Sequence, residues 1–158
     1  MLAPVDAAMK VDIDAVRVAV TEDGPVPVVV LAPHDESGVL PIFIRFAEAV
    51  SISRGMEADD VGRPLTHDLT LDLVEELGGR VTRVVVSALE DNTYIADLHV
   101  DTPRGETVID ARPSDSLALA ARTDASVEVD PDVFESGRRD REEFEELQDV
   151  RDVAGLDP

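Results

Sequence analysis

The chain has 158 residues, 44% of them apolar, which suits one domain with a modest core and short appendages. It contains no cysteine, so disulfides, thiolate metal sites and cysteine nucleophiles are excluded together, and no apolar run approaches the length needed to span a bilayer. Acidic residues number 35 against 14 basic ones, and the resulting net charge of −21 repels itself at low salt but is screened at molar salt, where the Debye length is about 3 Å.

That balance predicts a protein of a high-salt cytoplasm, with an acidic protein of an ordinary cell as the alternative. Met1 to Lys10 has no basic stretch ahead of an apolar one, so no secretory signal is expected and the expected location is cytoplasmic. Lys10 is the only lysine; the remaining basic residues are arginines. In so acidic a chain, arginines beside turn and helix-start signals are candidates for anion contacts.

Residues 1–9 read as an N-terminal extension. Val11, Ile13, Val16, Val18 and Val20 alternate with one slip, which predicts a strand over Met9 to Val20 with a bulge. Glu22-Asp23-Gly24-Pro25 turns the chain into a second strand, Val26 to Leu31, its expected hairpin partner. After a polar loop, Val39 to Ile44 is apolar throughout, which predicts a central strand. Arg45 to Met56 reads as a helix. A second helix opens at Thr66, taken as its N-cap, carries Leu69, Leu73 and Leu77 as its apolar stripe, and closes at Gly78-Gly79. Val81 to Leu89 and Tyr94 to Val100 form a hairpin around Glu90-Asp91-Asn92-Thr93. Thr107 to Asp110 is a short strand, Ser116 to Arg122 a third helix, and Val127 to Val129 a last strand. From Glu135 the composition turns acidic. Residues 135–158 are expected to be a peripheral or partly disordered tail, in which Phe144, Leu147, Val150 and Ala154 line one narrow helical face.

Two helix starts share a device. Arg63-Pro64-Leu65-Thr66-His67-Asp68 and Arg112-Pro113-Ser114-Asp115 each place an Arg-Pro pair, a hydroxyl and an aspartate at a helix mouth. The recurrence of strands followed by such a start suggests an internal duplication, with chance similarity of two capping signals as the alternative. A helix N-terminus presents free N–H groups and the positive end of its dipole to an anion. Arg63 and Arg112, with Thr66 and Ser114, are therefore the candidate phosphate contacts. Asp68, Asp110 and Asp115 are candidate ligands for a divalent cation, Mg²⁺ or Mn²⁺, and Glu48 on the first helix is a further acid that would face the same cleft. His67 is the best placed of the three histidines to act as a base; His34 and His99 are expected to be solvated. Capping alone also accounts for Ser, Thr and Asp at a helix start. Aromatic residues make up only 3% of the chain and no basic patch is present, which disfavours base stacking and tight duplex binding.

Three segments resemble the bifunctional nuclease domain family. Leu40-Pro41-Ile42-Phe43-Ile44 with Glu48-Ala49 and Ile52 is similar to its first motif. Arg63 to Leu69 is similar to its second. Asp110-Ala111-Arg112-Pro113-Ser114-Asp115-Ser116-Leu117-Ala118-Leu119-Ala120 resembles its third and most distinctive one. The likeness covers roughly Lys10 to Val129, with Arg45 standing where a glycine is common and Ser116 where an alanine is usual. It implies an α+β fold in a single domain: a mixed, twisted sheet with about three flanking helices, residues 10–134 forming the family domain. It also implies an ability, reported for some members, to degrade both RNA and DNA. Taken together, the expected function is metal-assisted phosphodiester hydrolysis by Glu48, His67, Asp68 and Asp115 on a nucleic-acid substrate. A non-catalytic module of the same fold, binding an anion or a partner, is the alternative. No membrane association is expected, and a homo-oligomer is.

Overall fold

The computed structural model describes residues 7–58 and 62–153; most of the predicted N-terminal extension, and Ala154 of the predicted tail face, lie outside them. In chain order the elements are β1 (Met9–Thr21), β2 (Gly24–Pro33), β3 (Leu40–Phe43), α1 (Phe46–Glu57), α2 (Thr66–Glu76), β4 (Arg80–Glu90), β5 (Thr93–Thr102), β6 (Gly105–Ala111), α3 (Pro113–Ala120), β7 (Ser126–Val129), α4 (Pro131–Gly137), α5 (Glu142–Glu145) and β8 (Gln148–Asp149). A three-stranded meander followed by a helix thus occurs twice, as β1-β2-β3-α1 and β4-β5-β6-α3.

The strands form one mixed sheet in the order β3-β2-β1-β7-β4-β5-β6, with β8 on the free edge of β1. The two antiparallel meanders flank β7, which runs parallel to β4. The slip in the β1 valines is a bulge: its register shifts between Ile13 and Ala15. The bulge divides one edge of β1, so that Met9 to Val11 pair with β7 while Arg17 and Val18 pair with β8. Between β4 and β5, Asp91 and Asn92 both take positive φ, 50° and 64°, as a two-residue hairpin turn of the favoured twist requires.

One face of the sheet packs against α1 and α3. Ala49 and Ile52 of α1 and Leu117 and Ala118 of α3 are fully buried there, against Val29, Leu31, Val84 and Val86. The other face of β2 carries a second cluster, in which Phe144 and Leu147 cover Val28, Val30 and Ala32. This corrects two expectations. The apolar run expected to be central, β3, is an edge strand; its neighbour β2 is buried on both faces over its longest stretch, because the C-terminal segment lies over it. The described part of that segment, up to residue 153, is not peripheral either. It pairs through β8, forms an isolated bridge from Arg139 to Val39, and buries Phe144 and Val150. Phe144→Ala is expected to destabilise the fold by about 3 kcal/mol in urea denaturation, the usual range for a truncated core phenylalanine; a solvated tail would give almost nothing.

α2 also departs from expectation. Its leucine stripe faces solvent: Leu69, Leu73 and Leu77 are 51%, 56% and 76% exposed. Leu71 and Val74, on the opposite side, are the residues that touch the core. The helix is anchored by its polar first turn together with Leu71 and Val74, and not by the leucine stripe. Among the described residues no helix is long and apolar enough to cross a membrane.

Candidate functional site

α1, α2 and α3 converge above the sheet, and their facing side chains form one continuous polar network. α3 begins with Arg112 as N-cap and Pro113 in the first helical position, which places Asp115 at the third. The N-cap of α2 is Leu65 rather than the expected Thr66, and Asp68 then occupies the equivalent third position, accepting the Leu65 N–H at 3.0 Å. Both carboxylates therefore sit in a first turn, where the helix dipole favours negative charge.

Asp115 binds in two directions. Its Oδ2 accepts from Arg112 Nε at 2.9 Å, and its Oδ1 lies 3.0 Å from His67 Nε2. Arg112 reaches further and donates from Nη2 to Glu48 Oε1 at 3.2 Å. On the other side of the ring, His67 Nδ1 lies 2.6 Å from Ser51 Oγ. Behind Ser51 stands Arg122, whose side chain is 9% exposed. Its guanidinium donates to Ser51 Oγ at 3.1 Å, to the backbone oxygens of Ser51 and Ala118 at 2.9 and 2.8 Å, and to Asp68 Oδ1 at 2.7 Å. The series runs Glu48, Arg112, Asp115, His67, Ser51, Arg122, Asp68. Gly55 makes room for it: a Cβ there would lie 2.9 Å from both Arg122 Nη1 and the Ala121 Cβ.

Burial pushes the Asp115 carboxyl up, but hydrogen bonds from Arg112 and His67 and the Arg112 charge outweigh it, and the group titrates below the ordinary 3.8. Asp68 behaves alike, its burial outweighed by Arg122 and the Leu65 N–H. A carboxyl with a lower folded than unfolded pKa stabilises the fold above the unfolded value and loses that contribution as pH falls through the folded one. Asp115→Asn is therefore expected to melt below the wild type at pH 7, and to lose less Tm than the wild type between pH 7 and pH 3, in paired thermal melts.

Glu48, Ser51, His67, Arg112 and Asp115 line a cleft of about 350 Å³, together with Arg54 and Thr66. A larger groove of about 660 Å³ runs between α2 and β4, lined by Asp68, Asp72, Glu75 and Asp124 against Arg80 and Arg122. Four carboxylates against two guanidiniums repel a phosphate. The smaller cleft balances two carboxylates with two guanidiniums and adds an imidazole, so it suits an anionic substrate better.

The sequence profile of the bifunctional nuclease domain matches residues 29–142, which include every member of this network. The chain belongs to the bifunctional nuclease domain family. It is 34% identical over 123 residues to an uncharacterized protein of Mycobacterium tuberculosis, covering 78% of this chain and 73% of that one. It is 28% identical over 109 residues to Bifunctional nuclease 2 of Arabidopsis thaliana, covering 66% of this chain and 33% of that protein, and equally identical to Bifunctional nuclease 1 of the same plant.

Within this family domain, the residues expected at the site fall into three groups. His67, Asp115, Arg112, Glu48 and Thr66 share the cleft. Asp68 joins the network through Arg122 but opens onto the neighbouring grooves. Arg63 is exposed ahead of α2 with no tie to the network, Ser114 is buried in α3, and Asp110 is exposed on β6, where it pairs in register with Asp97. The other histidines lie elsewhere: His34 against Asp12, and His99, 12% exposed, against Glu106. Sequence reasoning passed over Ser51 and Arg122. The available signal was spacing: Ser51 lies three residues after Glu48, on the same face of α1.

Among the described residues, no three His, Asp or Glu side chains come together as a metal cage. Asp68, Asp110 and Asp115 do not converge, and guanidinium and imidazole groups occupy both Asp115 oxygens. Among the described residues, Glu48 Oε2 is the buried carboxylate oxygen without a partner. Of the three aspartates expected to hold a cation, Asp115 lines the cleft, while Asp68 and Asp110 do not.

Proposed function

We propose that this family member hydrolyses phosphodiester bonds in RNA or DNA at the cleft between α1, α2 and α3. The observation that carries the reading is one imidazole held between a carboxylate and a hydroxyl, with Arg112 at the same carboxylate and open to solvent. Arg112, 62% exposed, would clamp phosphate bidentately, and His67 would manage the proton. The Arabidopsis relatives are named as bifunctional nucleases, which supports the same class of reaction. A divalent cation, Mg²⁺ or Mn²⁺, belongs to the proposal as a companion of the substrate: phosphate oxygens and water would supply most of its ligands, and it would offset charge developing on the phosphate.

The test is hydrolysis of single-stranded RNA and DNA in molar KCl, with and without Mg²⁺ or Mn²⁺, by wild type and Asp115→Asn. Activity unchanged in the variant would remove this cleft from the reaction. The high-salt cytoplasm is part of the same proposal, and the net charge of −21 supports it. The midpoint of thermal unfolding should climb as KCl is raised from 0.1 M to 2 M, because screening relieves the repulsion. A homo-oligomer is also proposed; light scattering in molar KCl reads its mass.

A non-catalytic anion- or partner-binding module is the second reading. It draws on the arginine partners that Asp68 and Asp115 already have. It predicts a rise in Tm with inorganic phosphate and no turnover of either nucleic acid.

A further inference from the structure

The hydrogen-bond directions around His67 restrict what the ring can do. The Asp115 carboxylate can only accept, so the proton between the two residues sits on His67 Nε2. In the neutral imidazole, the form that acts as a base, Nδ1 is then the accepting nitrogen, 2.6 Å from Ser51 Oγ. Ser51 Oγ itself accepts from Arg122 Nη2 at 3.1 Å, so its own proton is directed away from the guanidinium and toward the ring. Every bond then runs one way, from Arg122 through Ser51 and His67 to Asp115. Both ring nitrogens are engaged. A water entering the cleft meets no free imidazole nitrogen, and the one proton His67 is set to receive is that of Ser51.

The geometry points to Ser51 as a nucleophile, activated by His67 and Asp115, that attacks the phosphorus of a bound phosphodiester. This rests on the phosphodiester reading above and gives it a covalent course. In the first step the Oγ–P bond forms while the P–O bond to one nucleoside oxygen breaks. The Ser51 proton passes to His67 Nδ1 and from there to the departing oxygen, which leaves as an alcohol. In the second step water attacks phosphorus and gives a proton to His67 Nδ1. The Oγ–P bond breaks, the proton returns to Ser51, and a phosphomonoester departs. Asp115 offsets the imidazolium charge in both steps. Arg122 stabilises the serine oxygen while it lacks its proton, and Arg54 and Arg112, in the same cleft, offer cations to the non-bridging oxygens. Hydroxyl, imidazole and carboxylate in series recur on unrelated folds; here the hydroxyl faces Nδ1 where those sites use Nε2.

The chain has no cysteine, so Ser51→Cys adds its only thiol and reports on this site without any nuclease assay. An imidazole partner raises the thiolate fraction, so alkylation by iodoacetamide at pH 6 in molar KCl is expected to run at least about tenfold faster in Ser51→Cys than in Ser51→Cys combined with His67→Gln. Equal rates in the two variants, both shown to be folded by thermal melting, would overturn the proposal. Wild type mixed with bis(p-nitrophenyl) phosphate should give a stoichiometric burst of nitrophenolate and, after acid quench, a phosphoryl adduct that maps to Ser51 by mass spectrometry. Steady hydrolysis with no adduct would overturn it as well. A fast thiol in Ser51→Cys, beside a wild type inert toward every phosphodiester, would sink the nuclease reading and leave the activated serine standing.

Discussion

Replacing His67 by glutamine is expected to lower single-strand hydrolysis by roughly 10²–10⁴-fold, the usual contribution of a positioned proton-transfer group. The loss should fall on kcat. The ring lies at the centre of the series, 2.6 Å from Ser51 and 3.0 Å from Asp115, and its side chain is 15% exposed. Glutamine keeps a polar side chain of similar reach but has no nitrogen that can take up a proton near neutral pH. Arg112→Ala should behave differently. This guanidinium is exposed and reaches the cleft from its rim, so its removal should act mainly on KM, read from initial rates across a substrate series. A His67→Gln variant with full kcat would end the case for the imidazole.

Arg122→Met should lose about 3 kcal/mol, as much as Phe144→Ala, in urea denaturation at pH 7 and constant KCl, because removing the buried guanidinium leaves the carbonyl and hydroxyl oxygens it binds without a donor. The guanidinium joins α1, α2 and α3: it binds Ser51 on the first, Asp68 on the second and Ala118 on the third. α2 has no fully buried residue of its own, so this polar tie is a main part of what holds it. Methionine keeps most of the side-chain volume and removes only the charge and its donors. Asp68→Asn, by contrast, should cost much less, since the Asp68 side chain is 36% exposed and water can replace its partner.

The fold was legible wherever one residue's neighbours are local. The β1 slip, the Asp91-Asn92 turn and the glycine after α2 all follow from backbone rules that act over a few residues, and each occurs where those rules place it. The errors share a cause. β3 and the acidic C-terminal segment were misplaced because burial depends on what lies opposite: Phe144 and Leu147 cover a strand more than a hundred residues away in sequence. The leucine stripe of α2 has helical period, but periodicity carries no sign. It identifies a face without saying whether that face meets the core or the solvent.

The site divides in the same way. Residue types at helix mouths pointed to His67, Asp115, Arg112 and Glu48, because the chemistry of a first turn is written into its own short segment. Ser51 carried only the signal of its spacing from Glu48, and Arg122 carried none: an arginine after a helix meets its partners only once α1, α2 and α3 are packed together. By itself the sequence determined the elements from β1 to β7, the charge, the absence of thiol chemistry and the family motifs, since each depends on neighbouring residues or on composition; α4, α5 and β8 it did not give. Only the tertiary structure decided which carboxylate meets the imidazole, that Asp110 and Arg63 stand apart, and that Ser51 faces Nδ1. Those facts are distances between residues far apart along the chain, and the packing of helices on a sheet is what sets them.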